Sequence, residues 1–266
     1  MMDQSSITQA AKELVANRLR RAAFSGFSED IAPADEPTAY KIQNEIHKAL
    51  SKRGYGWLAG HKIGCTTPVM QAFLGIDHPC SGGVFSSRIY RNDAVLPYHD
   101  FHRPGVECEI AIRLSDNIDP ADAPFDRGAL VGAVSGVAPA IEIVDDRYEN
   151  YKDLSVETLI ADDFFGSACV LGDTVTDWRD LDLGAMAGRT KVNGKVVGEG
   201  KGSDILGHPL EALVWLANNR AAQGLGLSAG DLIMMGSLVQ VQWLEPGDFA
   251  EVEIDGLGHV SANFQA

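Results

Sequence analysis

The sequence predicts an α+β fold in which helices come first and strands dominate afterwards. Three observations carry this. Helical periodicity fills roughly the first fifty residues. Apolar runs of strand length then follow one another instead of alternating with helices, which argues against a doubly wound sheet. The chain also carries 28 scattered glycines, more useful for turns and β-corners than for a helical bundle.

Taken in order, Ile7, Ala10, Ala11, Leu14, Val15, Leu19 and Ala22 recur at helical spacing and predict a helix from about Ser6 to Ala23. Ser25 to Asp35 reads as a loop. Pro37 then punctuates the start of a second helix, Thr38 to Lys52, with Ala39, Ile42, Ile46 and Leu50 on one face. After that the texture changes. Gly60 to Cys65, Gly82 to Phe85, Ala94 to Pro97, Gly105 to Leu114, Val137 to Val144 and Ala168 to Gly172 read as strands, with a helical turn or two at Pro68 to Leu74 and a helix at Phe125 to Ala133. Asn193-Gly194 between two alternating runs is a hairpin signal, because it supplies the positive φ values of a type I′ turn. Pro209 to Ala222 is a helix with Leu210, Leu213, Val214 and Ala217 on one face. Asp231 to Gly236, Val239 to Leu244, Phe249 to Ile254 and Val260 to Phe264 are short strands. No internal repeat and no low-complexity segment is visible.

Composition narrows the function classes. A length of 266 residues with 45% hydrophobic content suffices for a sizeable core. A formal net charge of −15 repels nucleic acid and anionic membranes but leaves room for an anionic substrate wherever a cation sets the local field. Cys65, Cys80, Cys108 and Cys169 form no Cys-x-x-Cys pair and read as reduced thiols. The polar stretch Met1 to Ala10 lacks an apolar signal core, and no run approaches the length of a membrane span. The expectation is a cytoplasmic protein.

The chemistry concentrates in one apolar run, Val106-Glu107-Cys108-Glu109-Ile110-Ala111-Ile112. On a strand Glu107 and Glu109 share a face, while Cys108 and Ile110 take the other. A second apolar run, Ala138 to Val144, carries Glu142. Carboxylates crowded onto a buried face are costly unless a cation compensates them, and three of them offer an oxygen cage for Mg²⁺ or Mn²⁺. The spacing equally admits a solvent-facing strand pair, where alternating Glu is ordinary. Gly198-Glu199-Gly200-Lys201-Gly202-Ser203 lacks the order of a phosphate-binding loop and reads instead as a flexible loop, able to close over a substrate with Lys201 near an anionic group.

Strung together, Gly-His-Lys62-Ile-Gly, Pro-Gly-Val-Glu107-Cys-Glu109-Ile-Ala, Pro-Ala-Ile-Glu142-Ile-Val-Asp-Asp-Arg147, Leu-Gly-His208-Pro-Leu, Gly230-Asp231-Leu-Ile-Met-Met-Gly236-Ser237 and Pro246-Gly247-Asp248 resemble the 2-keto-4-pentenoate hydratase and 4-oxalocrotonate decarboxylase branch of the fumarylacetoacetate hydrolase superfamily. The likeness runs over nearly the whole chain. It implies layered, rolled mixed β-sheets over 59–266, a small helical part over 1–58, and a homo-oligomer acting on small 2-oxo or 2-hydroxydienoic acids from aromatic-ring degradation. It implies Mg²⁺ or Mn²⁺ on Glu107, Glu109 and Glu142, with hydration, decarboxylation and acylpyruvate-type C–C hydrolysis all served by one electron sink. A non-catalytic subunit bound to a neighbouring pathway enzyme is the alternative outside catalysis.

The same resemblance makes Lys62 a pocket residue that binds the substrate carboxylate or shuttles a proton, its pKa lowered by burial and the metal, rather than a surface lysine at a strand end. Ser237 falls where the family places substrate-contacting backbone. Arg147 supports the carboxylates, or pairs with Asp145 or Asp146. Asp162 belongs to a pocket wall or is a loop carboxylate, and His208 caps a helix or takes part in catalysis. One departure stands out. Many hydratases of this branch carry an acidic residue at the position of Cys80, so Asp77, His78 or a water would have to supply that proton, or the reaction differs.

Overall fold

The computed structural model describes residues 2–266. Its elements run in chain order as α1 (Gln4–Arg20), α2 (Glu36–Leu50), β1 (Leu58–Gly64), α3 (Pro68–Leu74), β2 (Cys80–Phe85), β3 (Ile89–Arg91), β4 (Ala94–Pro97), β5 (Pro104–Leu114), α4 (Arg127–Leu130) and β6 (Val134–Asp145). There follow α5 (Val156–Ala161), β7 (Gly166–Leu171), β8 (Ala187–Val192), β9 (Lys195–Lys201), α6 (Pro209–Ala222), β10 (Leu232–Ser237), β11 (Gln242–Trp243), β12 (Phe249–Ile254) and β13 (Gly258–Gln265).

The strands form two mixed sheets. The larger has the order β2-β1-β10-β5-β6-β7-β3, with β11 also paired to β5, and the smaller has the order β4-β13-β12-β8-β9. The two sheets face one another. Val106, Cys108, Ile110, Ile141 and Ile143 from β5 and β6 share one core with Ala250, Val252, Val260, Ala262 and Phe264 from β12 and β13. Strand alternation makes this follow from sequence: the odd-even register that buries Cys108 and Ile141 against the second sheet turns Glu107, Glu109 and Glu142 to the other face. That other face carries small or flexible neighbours, Ala111, Ala140, Cys169 and Met234. A second core joins α1, α2 and α5 to the sheet through Leu14, Ile42, Ile46, Leu159 and Phe164.

Helix boundaries follow capping chemistry more closely than hydrophobic spacing. Asp35 accepts from the Thr38 N–H at 2.8 Å, so α2 begins at Glu36 rather than Thr38. Helix α1 stops at Arg20, short of Ala23, because Arg21 turns left-handed at φ 51°. The helix expected over 125–133 shrinks to Arg127–Leu130 and a 3₁₀ turn, its propensity weakened by Gly128 and Gly132. The strand expected from Val239 shortens to Gln242–Trp243, because the Ser237 hydroxyl donates to the Val239 carbonyl at 2.5 Å and bends the chain.

A larger correction concerns 198–203. These residues are not a flexible loop: β9 extends to Lys201 and pairs with β8, and a 3₁₀ turn follows. The glycines serve close packing. A Cβ at Gly200 would lie 1.8 Å from the Leu238 carbonyl oxygen, and one at Gly202 equally close to that of Leu183. No described helix is long and apolar enough to cross a membrane.

Candidate metal centre

Glu107 and Glu142 are direct partners in the antiparallel β5–β6 register, and Glu109 lies two residues along the same face. One carboxylate oxygen from each falls within 4.8 Å of the others. Glu109 and Glu142 are buried, 0% and 2% exposed, a setting that removes water as a source of charge compensation. Glu109 Oε1 and both Glu142 oxygens lack a well-directed hydrogen-bond donor. Glu109 Oε2 accepts from the Gly236 N–H at 3.0 Å. That N–H is aimed by a break in the β10–β5 register between Met234 and Ser237, where Gly236 sits at φ +107° and any Cβ would strike Thr66.

Lys62 supplies the cluster's nearest positive charge. It lies on β1, in register with Met234 of β10, and its Nζ stands 3.1 Å from Glu142 Oε1. The contact is an ion pair of poor hydrogen-bond direction, which is why the oxygen stays without a directed donor. Burial by itself would lower the Lys62 pKa, but Glu142 and Glu107 outweigh it and the ammonium is raised above its ordinary value. Burial, followed by repulsion from Glu142, raises Glu107 to about 7 and pushes Glu109 well above the carboxylate range. Buried, mutually repelling and under-donated oxygens are the donor set a hard divalent cation satisfies, so the residues present fit Mg²⁺ or Mn²⁺.

Phe164 closes one side. Lys62 Nζ lies 5.2 Å from its ring centroid, a cation–π contact. The ring is brought there by three consecutive left-handed residues, Asp163, Phe164 and Phe165. Such a turn needs external support. Asp163 gives it, accepting from Arg18 Nη1 at 3.0 Å, from the Gly83 N–H at 2.9 Å, and pairing with His47 Nε2 at 2.5 Å. Asp162 is engaged as fully. It binds Arg18 Nε at 2.7 Å, Arg147 Nη2 at 3.0 Å and the Tyr148 hydroxyl at 3.0 Å.

The structure thus brings Glu107, Glu109, Glu142 and Lys62 together. It pairs Arg147 with Asp162 in an adjoining buried network, not with Asp145, which accepts from the backbone of His102 and Arg103 instead. Ser237 stands opposite Glu109 in the β10–β5 register, with its hydroxyl spent on backbone carbonyls. Asp77 and Lys201 are exposed, the one in the turn before β2 and the other at the end of β9 in the second sheet. His208 caps α6, its Nδ1 accepting from the Leu210 N–H at 3.1 Å. Cys80 is fully buried. A hydrogen bond with the Cys65 side chain, then burial, push its thiol well up, so it packs as an inert thiol. Sequence reasoning missed Phe164, Arg18 and His47. Only the strained Asp-Asp-Phe-Phe-Gly turn gave a local signal, and it showed in the sequence as nothing more than a paired acid.

Fold and cluster together define a class of protein before they define a reaction, one built around an all-oxygen candidate cation site on a sheet face. Residues 84–265 match the family model described as Fumarylacetoacetate (FAA) hydrolase C-terminal, and the chain belongs to the fumarylacetoacetate hydrolase family. It is 34% identical to a 2-keto-4-pentenoate hydratase of Burkholderia vietnamiensis over 99% of both chains. It is 32% identical to a 4-oxalocrotonate decarboxylase of Pseudomonas putida, over 85% of this chain and 84% of that one. Among solved structures it is similar to the 4-oxalocrotonate decarboxylase of Pseudomonas putida G7 complexed with magnesium and adipate, with a TM-score of 0.93 at 26% identity over 99% of each chain.

Proposed function

We propose that the protein is a divalent-metal-dependent hydratase that adds water to a 2-hydroxy-2,4-dienoate or the corresponding 2-oxo-enoate, with Mg²⁺ or Mn²⁺ held by Glu107, Glu109 and Glu142. The observation that carries this is the buried carboxylate cluster with oxygens lacking directed donors and a single lysine in contact. Bound there, the cation would supply Lewis acidity at the 2-oxygen of the substrate. The protein's own part is placement and proton handling. Hydration moves the 2-hydroxyl proton to the far carbon of the dienol, then joins OH and H across the 3,4 double bond, and breaks no carbon–carbon bond. Lys62, touching Glu142, is placed to bind the substrate carboxylate or to carry that proton. Phe164 shields it from water, and the Gly236 N–H holds Glu109 in position. Arg147 and Asp162 position the turn that delivers Phe164.

The names of the curated relatives support hydration, and the magnesium in the similar decarboxylase supports the choice of ion. Two observations favour a second reading, 4-oxalocrotonate-type decarboxylation: the thiol of Cys80 is a poor acid, and Asp77 is exposed. Incubation with 2-hydroxypenta-2,4-dienoate and Mg²⁺, followed by ultraviolet absorbance and mass spectrometry, tests the proposal. Loss of the dienol band with a product one water heavier, abolished by EDTA, is expected. Full turnover in metal-free buffer, or CO₂ release from a diacid without hydration, would overturn it.

A further inference from the structure

The proposed reaction makes no use of Asn193-Gly194. The pair forms the turn between β8 and β9, with φ 52° at Asn193 and 76° at Gly194. β9 is an edge strand of the smaller sheet, and both turn residues are exposed. β8 pairs with β12 as far as Val192, opposite Ala250. Beyond that point Asn193 makes the connection. Its N–H donates to the Phe249 carbonyl at 2.8 Å, its Oδ1 accepts from the Phe249 N–H at 3.0 Å, and its Nδ2 donates to Asp248 Oδ1 at 2.7 Å. Asparagine is a thermolabile residue, most of all before glycine, which has no Cβ to shield its nitrogen. A Cβ built at Gly194 would meet nothing within 4 Å, so the space beside that nitrogen is open. The Gly194 nitrogen can attack Cγ of Asn193. A C–N bond forms, the Cγ–Nδ2 bond breaks, and ammonia departs with the proton from Gly194. Water then opens either carbonyl of the cyclic succinimide, leaving aspartate or isoaspartate at 193 with no change of oxidation state. The attack requires the carboxamide to swing onto the following nitrogen. Here both ends of the carboxamide are held by the neighbouring strand, and they must let go first.

We propose that Asn193 is a covalent modification site, converted to aspartate or isoaspartate when the hairpin tip leaves β12, and that Asp248 and the Phe249 N–H are its gate. The conversion locks itself. The new carboxylate faces Asp248 where a 2.7 Å hydrogen bond stood, so a donor is replaced by an acceptor and like charges oppose one another. An isoaspartyl link also adds a methylene to the backbone of a tight turn whose flanks, Val192 and Lys195, are direct partners. The tip then stays undocked, and edge strand β9 opens with it.

The test incubates the full chain in warm, mildly alkaline buffer, folded and unfolded in urea. Peptide mapping by mass spectrometry reads the fraction in which the amide at 193 has become an acid. Methylation by an isoaspartyl methyltransferase with labelled S-adenosylmethionine reads the isoaspartyl share. The folded chain is expected to react more slowly than the unfolded one by on the order of tenfold to a hundredfold, the value of the hydrogen bonds that must open. Asp248→Asn leaves one oxygen to serve two donors, Asn193 Nδ2 and the Glu245 N–H, and should recover several-fold of that rate in the folded chain. Asn193→Asp supplies one product directly. Hydrogen exchange should then be faster at the amides of β9, with circular dichroism as the check on folding in both variants. Equal rates in the folded and unfolded chain, or an unchanged rate in Asp248→Asn, would remove the gate. No conversion in either state would remove the site. Unchanged exchange in Asn193→Asp would remove the lock.

Discussion

At the level of single residues, the site depends on side chains whose burial leaves no cheap substitute. Glu142→Gln keeps the shape and removes a ligand charge. Mn²⁺ affinity measured by calorimetry should fall by more than the roughly 10–100-fold typical of losing an outer partner, and turnover should go with it. Gly236→Ala asks a side chain to adopt φ +107° and to overlap Thr66. The expected loss is about 1–3 kcal/mol of stability in chemical denaturation, together with weaker metal binding as the N–H moves off Glu109. Stability loss with unchanged metal affinity would show that the Gly236 N–H does not position Glu109. The acidic pattern in β5 was open to reading from the sequence because strand period is a local property. The N–H facing it was not, because a register break belongs to two strands at once.

At the level of elements, the turn 162–166 ties α1, α2 and β2 to the sheet through buried charges. Burial works to raise the Asp163 pKa, but His47, Arg18 and the Gly83 N–H prevail and hold it far below the ordinary carboxylate range. A depressed folded pKa contributes stability that is complete above the unfolded value, about 3.9, and is lost as pH falls from there through the folded value. Asp163→Asn should therefore cost about 3–5 kcal/mol near neutrality, as expected for breaking one arm of a buried ion-pair network in which Arg18 keeps only Asp162. The gap between the natural chain and the variant should narrow as urea denaturation is repeated from pH 5 down to pH 2. A gap that stays constant across that range would rule out this ionic origin. Asp162 caught attention in the sequence as an acid, but the helix residues that hold this turn, Arg18 and His47, lie more than a hundred residues away.

For the whole molecule, two sheets share one core, and the carboxylate cluster lies on the face of the larger sheet opposite that core. Ile141→Ala removes a fully buried side chain from between the sheets. It should cost about 2–5 kcal/mol without altering the carboxylates on the opposite face, a separation visible as a lowered melting temperature with unchanged metal affinity. Glu107 and Glu142 meet across two strands, so the proposed ion would bind only the assembled cluster. Saturation at a hundred times Kd should stabilise the protein by about 2.7 kcal/mol, seen as a melting temperature several degrees higher with Mn²⁺ than with EDTA. An unchanged melting temperature would mean that the cluster holds no ion in the folded state.

What the sequence determined alone is what period and local chemistry encode: helices before strands, the shared face of Glu107 and Glu109, and the Asn193-Gly194 hairpin. These depend on neighbours within a few positions, where backbone geometry leaves few options. Only the tertiary structure decided that Glu142 stands opposite Glu107, that Lys62 reaches it from another strand, and that glycines 198–202 are close-packed strand and turn rather than a moving loop. Each of these depends on strand register or on groups distant in the chain, and the buried cost of an uncompensated charge, not local propensity, selects among them.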